Sequence, residues 1–117
     1  MNADEFEQDV LRVAGEWAYL RSAETVDKTD YAIKLRLTID TECFVQVYAN
    51  VEKSILSFAL VLNRARIYGR DNEGGEWHRH PYGDPEGHDH SPEGRKAVAL
   101  ATFLEEAQAI LEVEGLL

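Results

Sequence analysis

The chain has 117 residues, of which 44% are hydrophobic and 29% are charged, and its formal net charge is −10. This composition excludes a disordered chain, and the length fits one small domain over residues 1–117. The negative charge repels phosphate backbones at long range, so binding of nucleic acid would need a basic patch assembled by folding.

The first half of the chain predicts one helix and two strands. An amphipathic helix is predicted over residues 4–22, because apolar side chains recur there at steps of three and four. Residues 31–40 alternate between apolar and polar side chains, which predicts a strand with one wet face. Residues 43–49 are rich in β-branched and aromatic side chains and predict a second strand.

Three further strands are predicted before the chain becomes irregular. Residues 54–62 are nearly all apolar, which favours a central strand covered on both faces. A fourth strand is predicted over residues 65–70, followed by a turn at 71–75. Residues 76–80 predict a short fifth strand.

The C-terminal part of the sequence predicts a loop followed by a helix. Residues 81–95 hold all three prolines and predict an irregular loop, while residues 98–114 predict a second amphipathic helix. This order predicts an α+β domain, in which an antiparallel meander of four to five strands packs an N-terminal and a C-terminal helix on one face. The residues predicted to form the core are Trp17, Leu35, Leu37, Leu56, Phe58, Leu60 and Phe103.

Cysteine content and apolar runs bear on the cellular compartment. Cys43 is the only cysteine, so no internal disulfide can form and a reducing compartment is favoured. The N-terminus lacks the basic and apolar regions of a signal peptide, and no apolar run approaches membrane-spanning length. We therefore expect a cytoplasmic protein with no membrane partner. A homodimer is left open.

All four histidines of the chain fall in one segment, as the pairs His78/His80 and His88/His90. Imidazole titrates near neutrality and is a common metal ligand. On a strand, residues two apart point to the same face, so each pair can present both rings to one site. The clustering therefore indicates a functional site, and three interpretations of it are open.

In the first interpretation the histidines hold a metal ion. One pair offers two imidazoles to an ion, and the second pair can complete a four-coordinate shell. These ligands suit zinc or another divalent transition metal, with Asp71, Asp84 and Asp89 as nearby oxygen donors. The predicted metal ligands are His78, His80, His88 and His90.

In the second interpretation the histidines act as acid and base without a metal. Ribonuclease-type cleavage needs a base for the 2′-hydroxyl, an acid for the leaving oxygen and cations that hold the phosphate. Arg70, Arg79 and Arg95 are the candidate cations.

In the third interpretation residues 81–95 are an ordinary polar surface loop without a site.

The stretch Gly69-Arg70-Asp71-Asn72, followed by His78-Arg79-His80-Pro81 and His88-Asp89-His90, resembles the small toxins of TumE-type toxin–antitoxin pairs. The resemblance extends over about residues 30–96. It implies a cognate antitoxin-like partner protein and a toxic activity directed at nucleic acid. The catalytic residues that the resemblance carries over by position are Arg70, Asp71, Asn72, His78, His80, His88 and His90.

These observations together lead to one leading hypothesis and one alternative. The leading hypothesis is a small toxin-like protein that acts on RNA, in which one histidine of each pair serves as acid or base and arginines hold the phosphate. The alternative is a non-catalytic module that binds a metal or, through its acidic helices, a partner protein. Both site hypotheses need an ordered segment over residues 71–96.

Overall fold

The computed structural model describes all 117 residues, which form two helices and a six-stranded antiparallel sheet. The elements in chain order are α1 (Ala3–Ala14), β1 (Ser22–Lys28), β2 (Ala32–Asp40), β3 (Cys43–Asn50), β4 (Ile55–Leu62), β5 (Ala65–Asp71), β6 (His78–His80) and α2 (Leu100–Val113). Each strand pairs with the next, so the sheet is a simple meander from β1 to β6. The predicted α+β fold is confirmed, with one strand more than expected.

Helix α1 is shorter than the predicted helix over residues 4–22, and that prediction is wrong for residues 15–22. The helix begins at a capping box in which the side chain of Asn2 accepts from the Glu5 N–H, and it ends at Gly15. Trp17 and Leu20 extend the three-to-four spacing, but they pack half-buried against the core from a connecting segment. An apolar spacing therefore continued beyond the end of the helix.

Strand β1 is the element that the sequence analysis missed. It forms an edge of the sheet and pairs only with β2, and nearly all of its side chains are exposed. A strand that is wet on both faces has no period-two apolar pattern, so its sequence carries little strand signal.

One face of the sheet carries the core, and both helices cover it. Buried and less buried residues alternate along β2 and β3, and the ring of Phe103 of α2 packs against those of Phe58 and Tyr68 at centroid distances of 5.4 and 5.6 Å. Five of the seven predicted core residues are fully buried, namely Leu35, Leu37, Phe58, Leu60 and Phe103, and two are half-buried, namely Trp17 and Leu56.

The opposite side of the sheet, which we call the open face, has no helix packed on it. Its residues include Arg36 of β2, Tyr48 of β3 and Ala59 of β4, and none of these is fully buried. The prediction that β4 is covered on both faces is therefore wrong, because its outward residues are only half-buried. Neither helix is long and apolar enough to cross a membrane.

Candidate metal centre

The last two strands bring an aspartate and two histidines together on the open face. In the register of β5 and β6, Asp71 lies opposite His78 and Gly69 lies opposite His80. A side chain at Gly69 would meet the Phe58 carbonyl oxygen at 3.1 Å and the His80 ring at 3.6 Å. A larger residue at position 69 would therefore press on the Phe58 backbone, while its contact with the His80 ring would be an ordinary one.

A short backbone bridge adds the second histidine pair. The N–H of Arg79 donates to the Asp89 carbonyl at 3.2 Å, and the N–H of Asp89 donates to the Arg79 carbonyl at 2.8 Å. In this antiparallel register the flanking histidines point to the same face, with His88 beside His80 and His90 beside His78. The ring centroids are 4.9 Å apart in the first of these pairs and 5.6 Å apart in the second.

Three of the four histidines form a group that could hold a metal ion. His78, His80 and His88 each have a ring nitrogen within 4.8 Å of those of the other two. The ring of His80 is buried, that of His78 is half-buried, and His88 and His90 are exposed. The group therefore has a rigid inner side on the sheet and an outer side that faces solvent.

The carboxylate of Asp71 bridges the two inner histidines. Its Oδ1 lies 3.1 Å from Nε2 of His78, and its Oδ2 lies 3.0 Å from Nε2 of His80. The Asp71 side chain is itself only 9% exposed, and Oδ1 also accepts the N–H of Glu73 at 3.0 Å. The carboxylate is thus held in place and shielded from bulk water.

The other nitrogen of each inner ring faces a backbone carbonyl. Nδ1 of His78 lies 3.2 Å from the Glu76 oxygen, and Nδ1 of His80 lies 3.2 Å from the Pro85 oxygen. A carbonyl only accepts, so a hydrogen bond at these places needs the tautomer with the proton on Nδ1, which in a neutral ring leaves Nε2 as a bare lone pair. In that tautomer two lone pairs are directed at one carboxylate, and this repulsion is relieved either by protons on the two rings or by a metal ion that lies between the groups. Metal-ligating histidines have this arrangement, with the second ring nitrogen bound to a carbonyl.

The surroundings of His80 favour the neutral ring. Burial lowers the pKa of His80 below its usual range, and the positive charge of Arg66 lowers it further, while the Asp71 carboxylate acts in the opposite direction. Neutral imidazole is the form that binds metals.

Arg70, a predicted site residue, lies on the other side of the sheet. Its side chain is completely buried on the core face, where Nε and Nη2 donate to the two carboxylate oxygens of Glu106 at 2.9 and 2.7 Å. Nη1 donates to the Glu93 carbonyl at 2.9 Å, and the Tyr68 hydroxyl donates to Glu106 at 2.8 Å. Arg70 therefore ties β5 to α2 and to the loop, and it does not face the histidines.

Arg79 and Arg95, the other arginines predicted to hold a phosphate, also form ion pairs within the protein. Nε and Nη2 of Arg79 donate to one carboxylate oxygen of Asp89 at 2.9 and 2.6 Å, and Arg95 pairs with Glu76 at 2.5 Å. Hydrogen bonds from Ser91, together with the Arg79 guanidinium, lower the pKa of Asp89 to about 2. The Asp89 carboxylate therefore serves Arg79 and the loop rather than the histidine group.

Asn72 has a framework role as well. Its Oδ1 accepts the N–H of Leu56 at 2.7 Å, and its Nδ2 donates to the Ser54 carbonyl at 2.9 Å, which fastens the end of β5 to the start of β4. Of the seven residues that the TumE resemblance carries over, the structure thus gathers five at one place, namely Asp71, His78, His80, His88 and His90.

Sequence reasoning missed the residues that support this group. Glu106 anchors Arg70, and Arg66 donates through Nη2 to the same Pro85 oxygen that His80 contacts. The alternation along β5 was an available signal, because it places Tyr68 and Arg70 on the core face together.

Comparison with protein-family models, with curated proteins and with solved structures finds no match to this chain.

Proposed function

We propose that the protein binds a divalent transition metal ion at the sheet edge, through His78, His80, His88 and Asp71. One observation carries this proposal. Nε2 of both inner histidines is directed at the Asp71 carboxylate, at 3.1 and 3.0 Å, while both Nδ1 atoms are committed to carbonyls. A metal ion between the four groups replaces the repulsion of lone pairs with coordination.

The spacing of the donors fits this role. Ligands about 2.0–2.1 Å from a tetrahedral zinc ion lie about 3.3 Å from one another. The two distances from imidazole nitrogen to carboxylate oxygen, 3.1 and 3.0 Å, are close to that spacing. His88 lies on the exposed side, with a ring nitrogen within 4.8 Å of those of His78 and His80, and can complete the shell. Three imidazole nitrogens together with the Asp71 carboxylate suit zinc, and also iron, manganese or nickel.

The ion pairs of Arg70 and Arg79 count against a metal-free mechanism that depends on these two arginines. Arg70 and Arg79 bind Glu106 and Asp89 on the core face, so neither is free to hold a phosphate beside the histidines. When bound, a divalent ion supplies positive charge and Lewis acidity at that place. The ring of His90 is exposed and lies 5.6 Å from that of His78. His90 is then placed to donate or accept a proton on the solvent-facing side of the histidine group.

Cobalt spectroscopy on untagged, metal-free protein tests the proposal. We expect one equivalent of Co(II) to produce the visible absorption bands of a nitrogen-coordinated four- or five-coordinate ion. His80→Ala should abolish these bands, whereas the matched loop variant Glu86→Gln should keep them, because Glu86 is exposed and does not belong to the group that could hold the ion. A spectrum equal to that of aqueous cobalt with the wild-type protein would refute the proposal.

A further inference from the structure

We propose that Arg66 binds a phosphate group of a ligand that reaches the histidine centre. The phosphate-binding role of Arg66 stands on its own observations, whereas delivery of the ligand to a metal rests on the proposed function. The cation in this proposal differs from the three arginines that the sequence analysis considered.

Arg66 lies next to the centre on the open face. It pairs with Val61 of β4, and its Cδ lies 3.3 Å from the position where a side-chain carbon of Gly69 would stand, on the same glycine that the His80 ring flanks at 3.6 Å. Its Nη2 donates to the Pro85 oxygen at 3.1 Å, and Nδ1 of His80 contacts that same oxygen at 3.2 Å. The guanidinium and the His80 ring are therefore immediate neighbours.

The guanidinium of Arg66 has donors without acceptors. Its Nε is buried and has no hydrogen-bond partner, and Nη1 has no acceptor within the protein either. Leaving a buried donor unpaired is costly, and such atoms are rare in folded proteins. Because Nη1 is not among the buried unpaired atoms, it retains contact with solvent.

No carboxylate neutralises this charge. Arg70 and Arg79, which lie nearby in the same two-strand region, each hold a carboxylate at 2.7 Å or less. Arg66 forms no ion pair, although the chain has 22 acidic and 12 basic residues. An unpaired, half-buried guanidinium in an acidic protein is suited to an anion that comes from outside.

The chemistry of the place favours phosphate as that anion. A guanidinium presents a planar fork of donors that matches two oxygens of a phosphate, and a tetrahedral anion has further oxygens left for a second cationic partner. The histidine centre is such a partner when it holds a metal. Inorganic phosphate, a mononucleotide and single-stranded RNA share this chemistry.

The test measures phosphate binding by titration calorimetry on zinc-loaded and on metal-free protein. The probes are inorganic phosphate, a uridine mononucleotide and a short 2′-O-methyl oligouridylate, which resists cleavage. We expect Arg66→Gln to weaken binding about tenfold or more. The matched control Lys53→Gln removes an equal charge from the exposed turn between β3 and β4 and should change nothing.

Several outcomes decide the proposal. Binding that is equal in Arg66→Gln and wild type, with the fold intact by circular dichroism, overturns it. If Arg66→Gln does not fold, Arg66→Lys replaces it, since loss of the planar fork should still weaken phosphate binding several-fold, and unchanged binding overturns the proposal.

Tighter, Arg66-dependent binding of the oligouridylate than of inorganic phosphate assigns the site to nucleic acid, and equal binding assigns it to free phosphate. Wild-type protein that takes up no zinc refutes the proposed function alone, because the Arg66 comparison is also made without metal.

Discussion

Arg79 and Asp89 face each other across a bridge in which both their backbones and their side chains are joined. The two backbone hydrogen bonds measure 3.2 and 2.8 Å, and the side-chain bonds measure 2.9 and 2.6 Å. Both side chains lie on the core side of the sheet edge, so the histidines on either side of each residue point to the open face. This pair therefore sets the register that joins the two His-x-His segments.

We expect Asp89→Asn to weaken zinc binding about tenfold, an effect of the size seen when groups that orient metal ligands are lost. The substitution keeps every proposed ligand but removes the charge that holds the loop against β6. Titration calorimetry with zinc measures this, with Glu86→Gln as the control in the same loop. An unchanged affinity would show that the loop is positioned by other contacts.

We expect Arg70→Met to lower the free energy of unfolding by about 3 to 5 kcal/mol, because it leaves the Glu106 carboxylate without its buried partner. Urea unfolding followed by tryptophan fluorescence measures this change. Lys53→Ala, at an exposed turn, should change stability by no more than about 0.5 kcal/mol. A stable Arg70→Met protein would show that Arg70 is not a structural anchor.

We expect the thiol of Cys43 to be unreactive in the folded protein. The residue is 1% exposed, and burial, with a further contribution from the negative charge of Asp40, raises the pKa of the thiol to about 11. The folded state thus holds the proton more tightly than the unfolded state. The protonated thiol of Cys43 therefore contributes to the free energy of unfolding. This contribution is fully present below the unfolded pKa of 9.0 and is lost as the pH rises from there to about 11.

Thiol titration with an aromatic disulfide reagent at about pH 8 checks the expected behaviour of Cys43. The folded protein should react slowly, and the protein in guanidinium chloride should react fully. Rapid reaction of the folded protein would place Cys43 outside the core.

Periodicity was enough to predict most of the fold, because β2, β3, β4 and α2 each bury one face and carry the matching pattern. It failed at β1, where exposure on both faces removes the pattern, and at the end of α1, where Trp17 and Leu20 continued the helical spacing from a non-helical segment.

For the candidate site, the His-x-His spacing was enough to predict that each pair shares a face. The register that pairs Arg79 with Asp89 could not be predicted from the sequence, because an irregular loop of this length is compatible with several registers. It also could not show that Arg70 is buried, since that depends on Glu106 lying opposite on a helix far along the chain.

The most direct test of the metal centre is zinc binding to untagged protein, measured as zinc content by mass spectrometry and as affinity by calorimetry. We predict one zinc ion per chain in the wild type and in Glu86→Gln, no stoichiometric zinc in His80→Ala, and an affinity at least about tenfold lower in Asp71→Asn. Absence of zinc binding by the folded wild-type protein, or equal binding by wild type, His80→Ala and Asp71→Asn, would contradict the account.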